Sequence, residues 1–272
     1  MSALLKIASD INPFKTVLFR FAVGLGLLGI AALLGKIQLT FIRSRLLLLR
    51  GLFGGMGVFI LFLSIVKLGV GKGTLYCYTY PVFAGIFSRF FLKEYVRPLK
   101  WVFIVTALIG LYFLAAGESG FNFLEHHIGG YELIAILGAV CSGSAIVTVK
   151  KLHDTESSYA IFFAQCLIGF WLFVVPANVV EDSGRGGISE GALLLSIGVV
   201  AAVAQLLMTE GYRHVKVTTG ALLNMLVPVF NLTLSILVFR ESFSLIEMLG
   251  AVLVLASCVL VISCDRFIPT NP

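Results

Sequence analysis

Nine stretches of this chain are continuously apolar: residues 14–34, 46–68, 74–92, 99–116, 133–150, 159–179, 192–207, 221–239 and 243–263. Each approaches the roughly 20 residues that a helix needs to cross a bilayer. The runs are unbroken rather than alternating, which excludes a membrane-spanning barrel, whose strands alternate lipid-facing and lumen-facing residues. Only 12% of the 272 residues are charged, against about 25% in soluble domains. Mean hydropathy is +1.03. The fold class is therefore an all-α, polytopic membrane protein.

Inside this apolar background the chain repeats itself. Gly73 to Phe83, followed by Lys93-Glu94, recurs 147 positions later as Gly220 to Phe230, followed by Arg240-Glu241. Gly73/Gly220, Leu75/Leu222, Pro81/Pro228, Val82/Val229, Phe83/Phe230 and Glu94/Glu241 are identical in one ungapped register. Duplicated spans of this kind are typical of secondary transporters. Extending the register backwards sets Arg20–Gly24 against Gln165–Gly169, and leaves the window 133–150 with only residues 3–8 as its first-half counterpart, Lys6 standing opposite Lys151. The expected architecture is a ten-helix inverted-repeat bundle of five plus five helices, its first helix largely missing, with nine full transmembrane spans. Residues 1–116 form the first repeat, 117–130 an outer connector, and 131–272 the second repeat.

Five helices per repeat make the two halves antiparallel across the membrane, and charge gives their orientation. With the C-terminus inside, thirteen of the twenty basic residues fall on cytoplasmic connections, Arg50, Lys100, Lys150 and Lys151 among them. Six (Lys6, Lys15, Lys67, Lys72, Arg185 and Arg240) fall outside, and Arg20 lies within a span. Lys and Arg in short loops favour the inside, so the C-terminus is expected in the cytoplasm. Basic residues scattered over short loops report orientation, and the net charge of +6 does not indicate a nucleic-acid partner.

The Pro-Val-Phe of the fourth helix in each half, its (Arg/Lys)-Glu end, Arg20 in the second helix and Arg50-Gly51 opening the third resemble the EamA type of the drug/metabolite transporter superfamily. The resemblance covers essentially the whole chain. It implies two inverted five-helix halves and transport of a small organic solute, by exchange or proton coupling.

Candidate functional residues follow from the cost of polar groups in lipid, which makes them face a protein interior or a cavity. Asn224, Pro228 and Asn231, at i, i+4 and i+7, would stack on one helix face. Their repeat counterparts are Cys77, Pro81 and Ala84, so the polar stripe exists in one half only. Interhelical hydrogen bonding is the plainer reading of it. Tyr76 and Tyr80 would share a face at i, i+4; Tyr76 suits the membrane interface, while Tyr80, beside Pro81, and Phe83 suit a substrate pocket. Gln205 is deep in an apolar run. Arg20 either binds an anionic group or snorkels to the surface. Pro81 and Pro228 break the helical hydrogen-bond ladder at matched points and are candidate hinges.

Other chemistries lack residues. The histidines His126, His127, His153 and His214 lie in three separate connections, the five cysteines show no paired metal spacing, and no nucleophile–base set shares a membrane layer. No enzyme, metal site or cofactor is indicated. Gly51-Leu-Phe-Gly-Gly55 reads as a packing surface. The expected function is secondary active transport, as exporter or exchanger, of a small organic metabolite such as an amino acid, vitamin or nucleoside-like compound across the plasma membrane. The alternative is a non-transporting accessory membrane protein derived from a truncated transporter. A homodimer stays open.

Overall fold

The computed structural model describes residues 12–37, 44–119, 129–179, 188–239 and 244–267. Among them every regular element is a helix: α1 (Pro13–Leu33), α2 (Arg45–Leu68), α3 (Val70–Cys77), α4 (Tyr80–Phe91), α5 (Pro98–Ser119), α6 (Gly130–Leu152), α7 (Ser158–Val179), α8 (Ile188–His214), α9 (Val217–Asn224), α10 (Leu226–Phe239) and α11 (Leu245–Phe267). Polar side chains set the starts of the long helices. Asn12 accepts from the Phe14 N–H at 2.9 Å, with Pro13 in the first turn of α1, where the N–H that proline lacks has no helical partner anyway. At α11, Ser244 N–H donates to the Glu247 carboxylate at 2.7 Å and Glu247 N–H to Ser244 Oγ at 3.3 Å. Two otherwise orphaned donors are thus satisfied reciprocally. Large apolar side chains such as Phe90, Trp171 and Leu237 stay exposed, an arrangement that lipid accepts and water opposes.

By length and composition, eight spans among the described residues can cross a membrane, with α9 and the start of α10 counting together as one. The window 74–92 was expected to be a ninth, continuous helix. It is instead occupied by α3 and α4, of eight and twelve residues, neither long enough alone. The window 221–239 is likewise interrupted, at Met225. Both breaks fall just before a proline. Pro81 and Pro228 cannot donate to the carbonyls of residues 77 and 224, and their rings clash with them. Residues 1–11, where Lys6 lies and where a partial first helix is expected from the sequence, lie outside the described residues, as do His126, His127, Arg240 and Glu241.

The chain divides into two compact units, each drawing on both halves of the sequence. The first comprises residues 1–62 and 148–214. Here α1 packs along α7 and α8 around Phe14, Phe21, Phe59 and Phe173, whose ring centroids lie 5.6–6.2 Å apart. The packing surface expected at Gly51 and Gly55 is present. A Cβ on Gly51 would come within 2.7 Å of the Ala164 carbonyl, and one on Gly55 within 2.8 Å of Leu172, so only glycine lets α2 approach α7 this closely.

The second unit comprises residues 63–147 and 215–272. Its core lies along α5 and α11, around Ile104, Ala107, Leu111, Val254 and Val261, with Leu222 and Met225 of the interrupted helix among them. The two helices touch at Gly110 and Gly250, where a Cβ on Gly110 would sit 2.7 Å from the Gly250 carbonyl. Gly69, at φ +84°, alone separates α2 from α3. That left-handed conformation suits glycine and turns the chain within one residue.

Candidate functional site

In the first unit, two arginines are held inside helices by neutral amides. Arg20, in the second turn of α1, donates through Nη2 to Gln205 Oε1 of α8 at 2.8 Å. Arg50, six residues into α2, is 3% exposed and donates through Nη2 to Gln165 Oε1 of α7 at 2.7 Å. The Arg50 side chain does not turn back toward the nearby helix end. It lies over Gly54, one turn deeper, where a Cβ would overlap Nη1. Glycine at 54 is therefore what lets the guanidinium point inward. Cys166, fully buried, lies within electrostatic reach of both guanidiniums, and Tyr212 within reach of Arg50.

The pairing is incomplete. Among the described residues neither arginine has a carboxylate partner, and Arg50 Nε and the Tyr212 hydroxyl are buried without any hydrogen bond. A hydrogen bond to a charged group contributes about 1.5–3 kcal/mol, less than the several kcal/mol that desolvating each cation costs. Gln165 and Gln205 orient the guanidiniums but do not neutralise them. At the end of the same unit Glu210 accepts from Ser158 and pairs with Arg213 at 3.6 Å.

In the second unit, α9 is fastened from several sides. Glu94, the acidic end of the repeated motif, accepts from the Val217 N–H at 3.3 Å, in the first turn of α9 where a negative charge is favoured. Lys100, 2% exposed, bridges Asp265 at 2.7 Å and donates to Thr219 at 2.9 Å. Thr219 in turn donates to Asp265 at 2.5 Å. The Tyr80 hydroxyl donates to the Ala221 carbonyl at 3.1 Å. That carbonyl is free because Met225 N–H donates one residue short, to Leu222, at 2.9 Å.

The candidate residues divide between the units. Arg20 and Gln205 belong to the first and touch. Tyr80, Phe83, Asn224, Asn231, Pro81 and Pro228 belong to the second. Phe83 packs on Phe87, centroids 6.4 Å apart, and against Gly143. Asn224 and Asn231 are both half-buried; Asn224 ends α9 and Asn231 lies in α10, with the break at Met225 between them. Tyr76 and Tyr80 are separated in the same way, by the turn at Tyr78-Thr79. Tyr76 is 6% exposed. Arg20 is not the lone basic residue inside a span, since Arg50 is within α2. A charge near the edge of an apolar run is expected on a connection, as Arg50 is from the sequence; Gly54, four residues on, is the signal in the sequence that leaves room for it to point inward.

The profile of the EamA-like transporter family matches residues 1–116 and 130–263. The chain belongs to that family. It is a small-molecule transporter embedded in a membrane by several helices, and not an enzyme. It is 27% identical over 269 residues to the pseudopaline exporter CntI of Pseudomonas aeruginosa, spanning 95% of this chain and 89% of that one. It is 23% identical over 266 residues to the S-adenosylmethionine uptake transporter of Rickettsia bellii, spanning 96% and 87%. A riboflavin transporter of Vibrio cholerae is 27% identical over 146 residues, 53% of this chain and 46% of that one. One solved crystal structure matches the fold with a TM-score of 0.81 at 22% identity, over 99% of this chain and 94% of that one.

Proposed function

We propose that this protein is a secondary active transporter that moves a small organic metabolite across the plasma membrane, as exporter or exchanger, by alternating access of two inverted halves. The observation that carries the reading is the pair of interrupted helices, α3–α4 and α9–α10, broken before Pro81 and Pro228 at equivalent points of the repeat. Interrupted spans at corresponding positions mark the substrate region in repeat-built transporters, because the break exposes backbone groups and loosens the helix. The relatives include an exporter and an uptake transporter, so family membership leaves direction to experiment.

The proposed substrate contacts are Arg20 and Gln205 in the first unit, and Tyr80, Phe83, Asn224 and Asn231 in the second. Tyr80 contributes its ring, since its hydroxyl is engaged with Ala221. The fuller architecture, ten helices in a five-plus-five inversion with the C-terminus inside, is supported by the basic-residue distribution and the duplicated motif.

The proline pair supplies the test. Pro81→Ala and Pro228→Ala each restore a helical hydrogen bond and stiffen one break. Each variant is expected to exchange substrate slowly and to bias the protein toward opposite faces. Labelling of single cysteines from either side reads the bias, with Asp154→Cys as the inside reference. Unchanged exchange, or bias to the same face in both variants, makes the prolines static kinks and removes the hinge mechanism.

A further inference from the structure

We propose that half-buried Arg20, with buried Arg50 and Tyr212 in the first unit, is the recognition site for an oxyanion group, a carboxylate or phosphate, of the transported metabolite. The proposal rests on the transporter reading and adds to it the charge class of the substrate. Four observations converge on it.

Two guanidiniums lie inside helices of membrane-spanning length with only neutral partners, Gln205 at 2.8 Å and Gln165 at 2.7 Å. A guanidinium carries five N–H donors, and these amides accept from one on each. Arg50 Nε and the Tyr212 hydroxyl are two of the three buried side-chain polar atoms left without a partner among the described residues. They belong to side chains within electrostatic reach of each other, each 3% exposed. Finally, Gly54 leaves the room that turns Arg50 inward, away from the helix end it would otherwise reach for.

Buried donors with no protein acceptor are expected where a ligand supplies one, and ionisable groups inside a membrane mark substrate pathways. The planar guanidinium fork matches the two oxygens of a carboxylate or phosphate. A cationic substrate would add charge to two cations already short of an anion. A neutral one would leave them uncompensated. Arg50 Nε and Tyr212 Oη are closed off in the conformation described, so the oxyanion meets them when the transport cycle opens this cluster.

The test loads the purified full chain into vesicles with a defined mixture: mono- and dicarboxylates, amino acids, phosphate esters, neutral sugars and amines. Mass spectrometry then follows which compounds leave. The compounds released are expected to carry a carboxylate or a phosphate, and the separate fractions tell which. Tyr212→Phe removes a hydroxyl that has no hydrogen-bond partner among the described residues, so the fold is retained. Its release of the anion should fall at least tenfold, and Arg50→Gln should fall at least as far. Release of only neutral or cationic compounds overturns the oxyanion assignment while leaving transport intact. So does anion release at the wild-type rate by Tyr212→Phe. If nothing leaves the vesicles, transport itself fails, and melting in the presence of the same anion fractions decides the site. A stabilising shift that Tyr212→Phe abolishes upholds it, and the absence of any shift overturns it.

Discussion

The hydroxyl of Tyr80 donates to the carbonyl of Ala221 at 3.1 Å, joining the first turn of α4 to the last turn of α9. The bond exists because α9 ends early. Met225 turns its N–H to Leu222, and the Ala221 carbonyl would otherwise be buried with nothing to accept. Tyr80→Phe keeps the ring and orphans that carbonyl, which costs about 1–3 kcal/mol. A lower melting temperature is the expected outcome. A melting temperature equal to wild type would mean that water or a backbone donor replaces the hydroxyl.

Gly54 is required by the Arg50 side chain that lies across it. Gly54→Ala places a methyl where Nη1 sits and must push the guanidinium off Gln165 or shift the helix. Overpacking of this kind costs about 1–3 kcal/mol. Gly26, where an added Cβ meets nothing within 4 Å, serves as the control. Gly54→Ala should lower the melting temperature, and Gly26→Ala should not.

The histidine between α6 and α7 gives a pH dependence. His153 Nε2 lies 2.8 Å from the Thr209 carbonyl and donates to it, since a carbonyl only accepts. Burial pushes its pKa below the ordinary histidine value, with Lys150 and Arg213 acting in the same direction and Glu210 and the Thr209 carbonyl opposing them. A folded-state pKa below the unfolded one means that the unfolded chain takes up the proton first. Stability is therefore unaffected at pH 7.5 and declines as pH falls through about 6.5. The melting temperature of wild type should drop between pH 7.5 and 5.5 by more than that of His153→Gln. Equal slopes would remove His153 as the cause.

Asn224 and Asn231 are half-buried polar groups flanking the break at Met225. If they contact substrate, Asn→Leu at either leaves a substrate polar group unmatched, about 1–3 kcal/mol or a five- to 150-fold loss of transport. Membrane abundance should be unchanged. Normal transport by both variants would assign them to packing.

What the sequence made legible was set by long-range averages. Apolar runs located α1, α2, α5, α6, α7, α8 and α11 because a span must be apolar along its whole length. The repeat register found Pro81 and Pro228. The interruptions themselves escaped, because a single turn such as Tyr78-Thr79 or Met225 is averaged away over a window of span length. Arg50 escaped because a charge near the edge of an apolar run reads as a loop residue. Only its side-chain direction, governed by Gly54 and Gln165, shows that it points inward. Pairings such as Arg20 with Gln205, 185 residues apart, depend on which helices pack together, which no local pattern specifies.

The central claim is that this chain moves a small organic solute by means of its two interrupted helices. Mass spectrometry of cells and medium tests it most directly, comparing cells that express the wild-type chain, the Pro81→Ala/Pro228→Ala double variant, or neither, at matched membrane abundance. The account predicts that at least one small organic compound is redistributed across the membrane by the wild-type chain, and that the double variant slows this about tenfold or more. Identical compound profiles in all three cultures would contradict it.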